Sequence, residues 1–131
     1  MTLVLGGSDN NMESILSSIK QLLNIDETET HFDMDIIIHI NSVFSILKQM
    51  GVGPEEKFSI VDEKPVWSDF TGEDADYDEV KTYVYLKVKM VFDPPTNSNV
   101  MNAMKEEIKE LEWRLNVTAS NKEMEGTDND E

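Results

Sequence analysis

The first half of the chain carries two stretches in which apolar residues recur every three or four positions, the spacing of one face of an α-helix. The first predicted helix covers residues 12–24, with Asn10 as its candidate N-cap, and the second ends at Gly51. Because a short polar stretch joins them, we expect an antiparallel helix pair. Their apolar positions are Met12, Ile15, Leu16, Ile19, Leu22 and Leu23, then Ile36, Ile37, Ile40, Val43, Phe44 and Leu47.

The second half contains one clear helix and one ambiguous segment. In the C-terminal helix, Ser98 is the candidate cap, and Glu110 and Arg114 form a charge pair one turn apart. Residues 80–92 alternate apolar and polar side chains as a half-buried strand would, yet they also carry a helical stripe. The pattern leaves helix and strand open for this segment. The apolar stripe of the C-terminal helix is Met101, Met104, Ile108, Leu111 and Leu115.

Residues 52–76 lie between the second helix and the ambiguous segment and show no helical spacing. Two short apolar runs, 58–61 and 66–67, flank the turn-forming residues 62–65, which predicts a short β-hairpin. An irregular insertion is unusual in a compact domain unless it is functional or paired with something else. Its large aromatic residues are of the kind that anchors interfaces, but they would serve equally well to cap the helices. We therefore mark the insertion as a candidate interface.

A length of 131 residues is typical of one domain. We predict an N-terminal arm over residues 1–10, a helical domain over 11–115 and an acidic tail over 116–131, which has too few apolar residues to order itself by burial. The predicted fold is all-α, with four helices, a hairpin-bearing insertion at 52–76 between helices 2 and 3, and extended arms at both ends.

The composition excludes several classes of function. With 27 acidic and 11 basic residues the formal charge is −16, so the surface repels phosphates and sequence-specific nucleic-acid binding is ruled out. The absence of cysteine removes disulfide scaffolds, thiolate zinc sites and cysteine nucleophiles. No apolar stretch approaches the roughly 20 residues that span a bilayer, so no membrane partner is expected.

Few residues form a pattern that carries chemistry. Asp74, Asp76 and Asp78 have the alternate spacing of a calcium loop, but Glu79 stands where that loop requires glycine. His31 lies near two aspartates without the spacing of a metal site. Neither a nucleophile elbow nor a phosphate-binding glycine motif is present. We expect no catalytic residues, no cofactor and no metal.

Seven segments of the chain have the residues, order and spacing of a known protein family. They are IKQLL (19–23), DIIIHINSVF (35–44), QMGVGP (49–54), WSDF (67–70), VKTYVYLKV (80–88), FDPP (92–95) and ELEWRLNV (110–117). Together they resemble the head-tail connector proteins of long-tailed bacteriophages, also called adaptor or head-completion proteins. The resemblance covers residues 15–117, and the two chain ends lie outside it.

The resemblance implies a mostly helical subunit, which favours helix for residues 80–92. It also implies a homo-oligomeric ring, usually a dodecamer, that docks beneath the portal protein and carries the next connector, stopper or tail protein. The genomic DNA would pass through the ring channel without specific binding. The implied location is the head-tail interface of the virion, reached from the bacterial host cytoplasm during assembly. No catalytic residue comes with this family.

Two sets of residues are candidates for contacts in such an assembly. The predicted interface with a neighbouring subunit or partner comprises Phe58, Trp67, Asp69 and Phe70. The predicted portal-docking segment comprises Trp113, Leu115 and Val117. The strong negative charge suggests that acidic groups line the channel and repel the DNA backbone as it moves.

An alternative function rests on charge alone. An acidic protein that mimics DNA can inhibit a nucleic-acid-binding partner, because carboxylates on a small fold imitate phosphates. This alternative predicts a monomer or dimer that captures a basic protein with steep salt dependence, and it leaves the seven connector-like segments unexplained.

Overall fold

The structure, a computed structural model, describes residues 12–72 and 77–129, with side chains described as far as residue 122. Within these residues the chain forms five α-helices and no β-strand, so the all-α prediction is confirmed. The predicted arm, residues 1–10, lies outside the described part of the chain. The helices are α1 (Ile15–Leu22), α2 (Asp33–Gln49), α3 (Trp67–Thr71), α4 (Tyr77–Phe92) and α5 (Ser98–Asn129).

Helix α4 is the centre of the bundle. It packs against α2 and α5 and also contacts α1 and α3. A helix that is contacted from several directions needs apolar residues on more than one face, which explains the strand-like alternation of residues 80–92. The helix that the resemblance implied for this segment is confirmed. The buried residues of α4 are Tyr77, Val80, Tyr83, Val84, Leu86 and Val88.

The contacts at the helix ends establish the directions of the helices. Phe32, just before α2, lies with its ring centroid 5.4 Å from that of Phe92 at the end of α4, so α2 and α4 are antiparallel. The Tyr83 hydroxyl of α4 donates a hydrogen bond of 2.8 Å to the Glu112 carboxylate of α5, near the other end of the same bundle. Because α5 turns back after residues 93–97, α2 and α5 run parallel to each other beside α4.

Two helix ends follow known capping chemistry. Gly51 adopts a φ of 87° after α2, and the N–H groups of Gly51 and Val52 bond to the carbonyls of Lys48 and Leu47 at 3.0 and 2.9 Å. This Schellman arrangement confirms Gly51 as the C′ residue. At the start of α1, the Ser14 hydroxyl accepts from the Ser17 N–H at 3.1 Å.

For two helices, the residue that caps the N-terminus is not the predicted one. Helix α1 is capped by Ser14, four residues after the predicted Asn10, which lies outside the described residues. For α5 the Asn97 carboxamide oxygen accepts from the N–H groups of Asn99 and Val100 at 2.8 and 3.1 Å, so Ser98 is the first helical residue instead of the cap. Asparagine and serine are both good caps, and the sequence pattern does not distinguish adjacent ones.

The predicted β-hairpin is wrong within the described residues, because both candidate strands pair elsewhere. Val66 forms a single antiparallel bridge with Ser14, in which the Trp67 N–H bonds to the Glu13 carbonyl at 3.1 Å. The other run has its Ile60 backbone paired with a side chain of α2. Residues that follow the bridge form the short helix α3, which the sequence analysis did not predict.

Helix α5 continues without a break through the predicted boundary after residue 115 and ends at Asn129. An α-helix pairs its backbone N–H and C=O groups within itself, so the backbone of the acidic segment is satisfied in this form. The division of the chain into arm, domain and tail stays a prediction.

Candidate functional site

The insertion, residues 52–72 as described, packs its aromatic residues against the middle of the bundle. Phe70 stacks on Phe44 of α2 at 4.5 Å between ring centroids, and Phe58 meets Phe44 edge-on at 5.1 Å. Trp67 meets Tyr77 of α4 edge-on at 6.2 Å. Edge-on and offset pairs of this kind add about 0.5–1.5 kcal/mol each beyond the burial of their area. We call these five residues the aromatic cluster.

Trp67 ties the insertion to α1. Its side chain has no exposed surface, and its indole N–H donates a 2.8 Å hydrogen bond to the Ser18 hydroxyl. That hydroxyl in turn donates to the Ile15 carbonyl at 3.0 Å. The largest buried side chain of the insertion is therefore satisfied entirely inside the subunit.

Asn41 ties the insertion to α2. Its side-chain amide donates to the Ile60 carbonyl at 2.9 Å, and its oxygen accepts from the Ile60 N–H at 2.8 Å. The carboxamide thus replaces the neighbouring strand that Ile60 would have in a sheet. Since Ile60 is 1% exposed, these two bonds satisfy backbone groups next to a buried side chain.

The four predicted interface residues are divided between core and surface. Trp67 and Phe70 are buried, Phe58 is half-buried, and Asp69 is exposed. The Asp69 carboxylate accepts from the Val66 N–H at 2.9 Å, which fixes the first turn of α3. The two buried rings cap the bundle, which was the alternative left open by the sequence. Contact of this segment with a partner stays a prediction, and it would involve exposed side chains such as Asp69.

A groove with a volume of about 390 Å³ separates the insertion from α5. It is lined in part by Val52, Phe70 and Thr71 on one side and by Leu115 and Ala119 of α5 on the other. No histidine lines the groove, so it lacks the side chain that most often serves as a general base near neutral pH. Within the described residues it is a seam between two elements, and Asp69 and Lys122 are the charged residues of its lining.

The predicted portal-docking residues lie on two faces of α5. Leu115 is 1% exposed and packs against α4. Trp113 is 67% exposed and Val117 is 37% exposed, so both are available to a partner. Trp113 is the largest of these side chains, so it offers the most apolar area to a partner.

Polar contacts hold the helices in register. Burial, with the hydrogen bond to Glu112, raises the pKa of Tyr83. Burial alone would lower the pKa of Lys81, but its bond of 2.9 Å to the Glu13 carboxylate raises the pKa overall. Lys20 is 3% exposed, and its ammonium lies 2.8 Å from the Asp33 carboxylate.

The backbone also surrounds Lys20. Its ammonium donates to the carbonyls of Glu29 at 2.7 Å and Glu27 at 3.2 Å, so the loop between α1 and α2 is wrapped around the charge. The Asp33 oxygen nearest the ammonium makes the ion pair without a well-directed hydrogen bond. The pair therefore acts chiefly through charge, and the two carbonyls provide the directional bonds.

The candidate metal residues do not converge in the described part of the chain. Asp74 and Asp76 lie outside it, and His31 makes an edge-on contact with Phe32 at 4.8 Å. No group of three or more histidines and carboxylates is close enough to hold a metal ion among the residues that the structure describes. In the same residues, no helix combines the length and the apolar character needed to cross a membrane.

A protein-family model described as phage connector protein matches residues 15–122, which include the insertion and the side chains of α5 described above. The chain belongs to the phage connector protein family. This membership confirms the resemblance to head-tail connectors and indicates a structural role in the virion. Searches of curated proteins and of solved structures gave no match. The match to this connector family extends five residues beyond the segment that carried the resemblance.

Sequence reasoning missed two residues that hold the connector insertion, Ser18 and Asn41, and one that holds the loop between α1 and α2, Lys20. Ser18 and Asn41 are polar residues on or beside the apolar faces of their helices, and Lys20 is a charged residue one position after Ile19. A polar residue on a face that must be buried has to find a hydrogen-bond partner, and this was the available signal. Trp67, the partner of Ser18, and Ile60, the partner of Asn41, are too distant in sequence to be identified from the pattern.

Proposed function

We propose that this protein joins the DNA-filled head of a long-tailed phage to the tail, as a ring beneath the portal that continues the DNA channel. The observation that carries the proposal is the family match over residues 15–122. The all-helical subunit, with α4 packed between α2 and α5, agrees with the mostly helical subunit that the resemblance implied.

The insertion is proposed to contact a neighbouring subunit or the next connector. Its buried aromatic cluster gives it a fixed shape on the bundle, and three exposed or half-buried residues of α3, Ser68, Asp69 and Thr71, are available for contact. A fixed shape favours recognition, since less conformational entropy is lost when the partner binds.

The C-terminal part of the chain is proposed to contact the portal. Of the predicted docking set, Trp113 and Val117 are exposed, whereas Leu115 is used within the bundle. Helix α5 then continues to Asn129. A helix of this length provides an extended contact surface beyond the part that packs against α4.

The charge of the chain supports the proposed channel. A ring of subunits that each carry −16 creates a strongly negative potential, and acidic walls repel DNA phosphates, so the genome passes without binding. Glu107 of α5, an exposed carboxylate, is a candidate for this lining.

Co-sedimentation tests the proposal directly. Purified full-length protein is mixed with DNA-filled heads that carry a portal but no connector, and the pelleted fraction is measured over a range of salt concentrations. We expect saturable pelleting that is strongly reduced on heads that already carry their connector. If the protein stays in the supernatant and instead captures a basic protein with steep salt dependence, the connector role is rejected in favour of the acidic mimic.

A further inference from the structure

Five exposed residues of α2 form a line without a charge, flanked by the exposed charged residues Asp35 at the start of the helix and Lys48 near its end. In a chain with 29% charged residues, this line carries only apolar and small or neutral polar side chains. Met34 is 71% exposed and Ile38 is 59% exposed, so their apolar surface is in water. The line consists of Met34, Ile38, Ser42, Ser45 and Gln49, and we call it the α2 outer face.

The outer face of α5 is centred on Trp113. This residue lies midway in sequence between Leu111 and Leu115, and therefore about half a turn around the helix from both of these buried residues. Trp113 thus points away from α4. With Glu106, Lys109, Glu110 and Val117, it forms what we call the α5 outer face.

The charges around Trp113 are paired. Lys109 lies 3.8 Å from the Glu106 carboxylate, and Arg114, at the edge of this face, lies 2.6 Å from the Glu110 carboxylate and 3.5 Å from that of Glu79 in α4. Two copies of a chain with charge −16 repel each other through most of their surfaces. The α2 outer face has no charge and the charges of the α5 outer face are paired, so contact between these two faces avoids most of that repulsion.

The two faces also match in height along the bundle. A Cβ atom on Gly51, just after α2, would lie 3.5 Å from the Cβ atom of Ala119 in α5, so these positions are level. Ser45 precedes Gly51 by as many residues as Trp113 precedes Ala119, and α2 and α5 run parallel. Since both helices rise about 1.5 Å per residue, Ser45 and Trp113 lie at nearly the same height.

We infer that the α5 outer face of one copy packs against the α2 outer face of the next, with the large Trp113 ring over the small Ser42 and Ser45. Rotation about an axis roughly parallel to the helices keeps heights unchanged, so it brings these residues together. Contact between two different surfaces of the same chain generates a closed ring when the rotation between neighbours closes on itself. The inference rests on the proposed connector function and assigns its subunit contact.

This assignment replaces the portal contact proposed above for Trp113 and Val117 with a contact to a neighbouring subunit. The portal contact would then lie further along α5. Cross-linking separates the two possibilities cleanly, because the chain has no cysteine of its own.

The experiment introduces one cysteine on each face, at equal heights and beside Trp113 without replacing it. The variant Ser42→Cys/Glu110→Cys is pelleted with portal-bearing heads that lack connector and is treated with a short bismaleimide. We expect a ladder of multimers on denaturing gels. A mixture of the two single variants should give one dimer band, and each single variant alone should give none. A Gln21→Cys/Glu110→Cys variant is the matched control and should stay monomeric.

A second measurement uses Trp113→Ala. Because Trp113 is largely exposed, the variant should keep the unfolding midpoint of the wild type, yet its retention on heads should weaken at least about tenfold, as expected for a central interface tryptophan. Val100→Ala, which truncates a residue that is 49% exposed on another face of α5, should bind as the wild type does. Trp113→Tyr should restore most of the binding.

The outcomes distinguish this inference from the connector function itself. If the wild type pellets with heads but the double variant gives no ladder, or cross-links to the portal protein, the inference is overturned and the connector function stands. A dimer band from either single variant alone would indicate like faces in contact and would also overturn it. If the wild type does not pellet with heads, the proposed function fails and the inference fails with it.

Discussion

Replacing Trp67 by Phe tests whether the largest aromatic residue of the insertion acts inside the subunit. The change keeps an aromatic ring in the buried site and removes the indole N–H, which donates a 2.8 Å bond to the Ser18 hydroxyl. The Ser18 hydroxyl keeps its bond to the Ile15 carbonyl. The variant should therefore fold, with reduced stability.

The expected loss has two parts. A net hydrogen bond contributes about 1 kcal/mol. The smaller ring leaves a void in a site with no exposed surface, which costs roughly a further 1–2 kcal/mol. We expect Trp67→Phe to lower the free energy of unfolding by about 2–3 kcal/mol in total.

The companion variant Ser18→Ala isolates the hydrogen bond. It leaves the buried indole N–H without its acceptor and should cost about 1–3 kcal/mol. Combining Ser18→Ala with Trp67→Phe should cost less than the sum of the two changes by about 1 kcal/mol, because both remove the same bond.

Urea unfolding followed by far-ultraviolet circular dichroism measures these differences. The matched control is Trp113→Phe, the same chemical change at a residue that is 67% exposed, which should alter stability by less than about 0.5 kcal/mol. The reasoning is refuted if Trp67→Phe unfolds as the wild type does but fails to pellet with heads, since Trp67 would then act at an interface.

Three further predictions concern groups that the bundle holds in place. Lys20→Met should lower the free energy of unfolding by about 3 kcal/mol, because it leaves the partly exposed carboxylate and two carbonyls around the former ammonium without a cation; denaturant unfolding checks this, and an unchanged midpoint would contradict it. Burial and a hydrogen bond raise the pKa of Tyr83 above its ordinary value of 10.0, so its contribution to stability is complete below that pH and is lost as the pH rises further. The free energy of unfolding from thermal melts should not change through this group up to about pH 10 and should then fall by up to about 1.4 kcal/mol per pH unit; Tyr83→Phe should flatten the fall, and equal slopes would contradict the assignment. Gly53→Ala should destabilise more than Gly72→Ala in urea unfolding, because both have positive φ but only the former would force a Cβ into the Phe70 ring; equal losses would contradict the packing seen here.

The helices α1, α2 and α5 were predictable from the pattern because each buries a stripe with helical spacing. The stripe of α2 and the C′ glycine at Gly51 are found where the pattern placed them, and Glu110 and Arg114 form the predicted pair at 2.6 Å. The spacing of α4 was ambiguous for a physical reason, since a central helix presents apolar residues to several neighbours. Only the family resemblance favoured helix there.

The insertion could not be derived from local pattern. Its runs 58–61 and 66–67 have the composition of strands, but their backbone partners are the Asn41 side chain and the Ser14 backbone, both far away in the sequence. The burial of Trp67 depends in the same way on Ser18, a residue of α1. Tertiary contacts of this kind override local strand preference.

The candidate contact surfaces were predictable only in part. Exposure divides the portal-docking set, with Leu115 in the core and Trp113 outside, because they differ by half a turn of α5. The uncharged α2 outer face is visible in the sequence once the helix is known. That this face and Trp113 lie at the same height along the bundle axis can be seen only in the folded structure.

Electron microscopy of the portal vertex tests the central claim most directly. The full-length protein is added to DNA-filled, portal-bearing heads that lack connector, and the vertex is reconstructed. The connector function predicts an added ring of helical density beneath the portal, with rotational symmetry and an open channel along its axis. A vertex identical to that of untreated heads, at protein concentrations that saturate any binding, would contradict it.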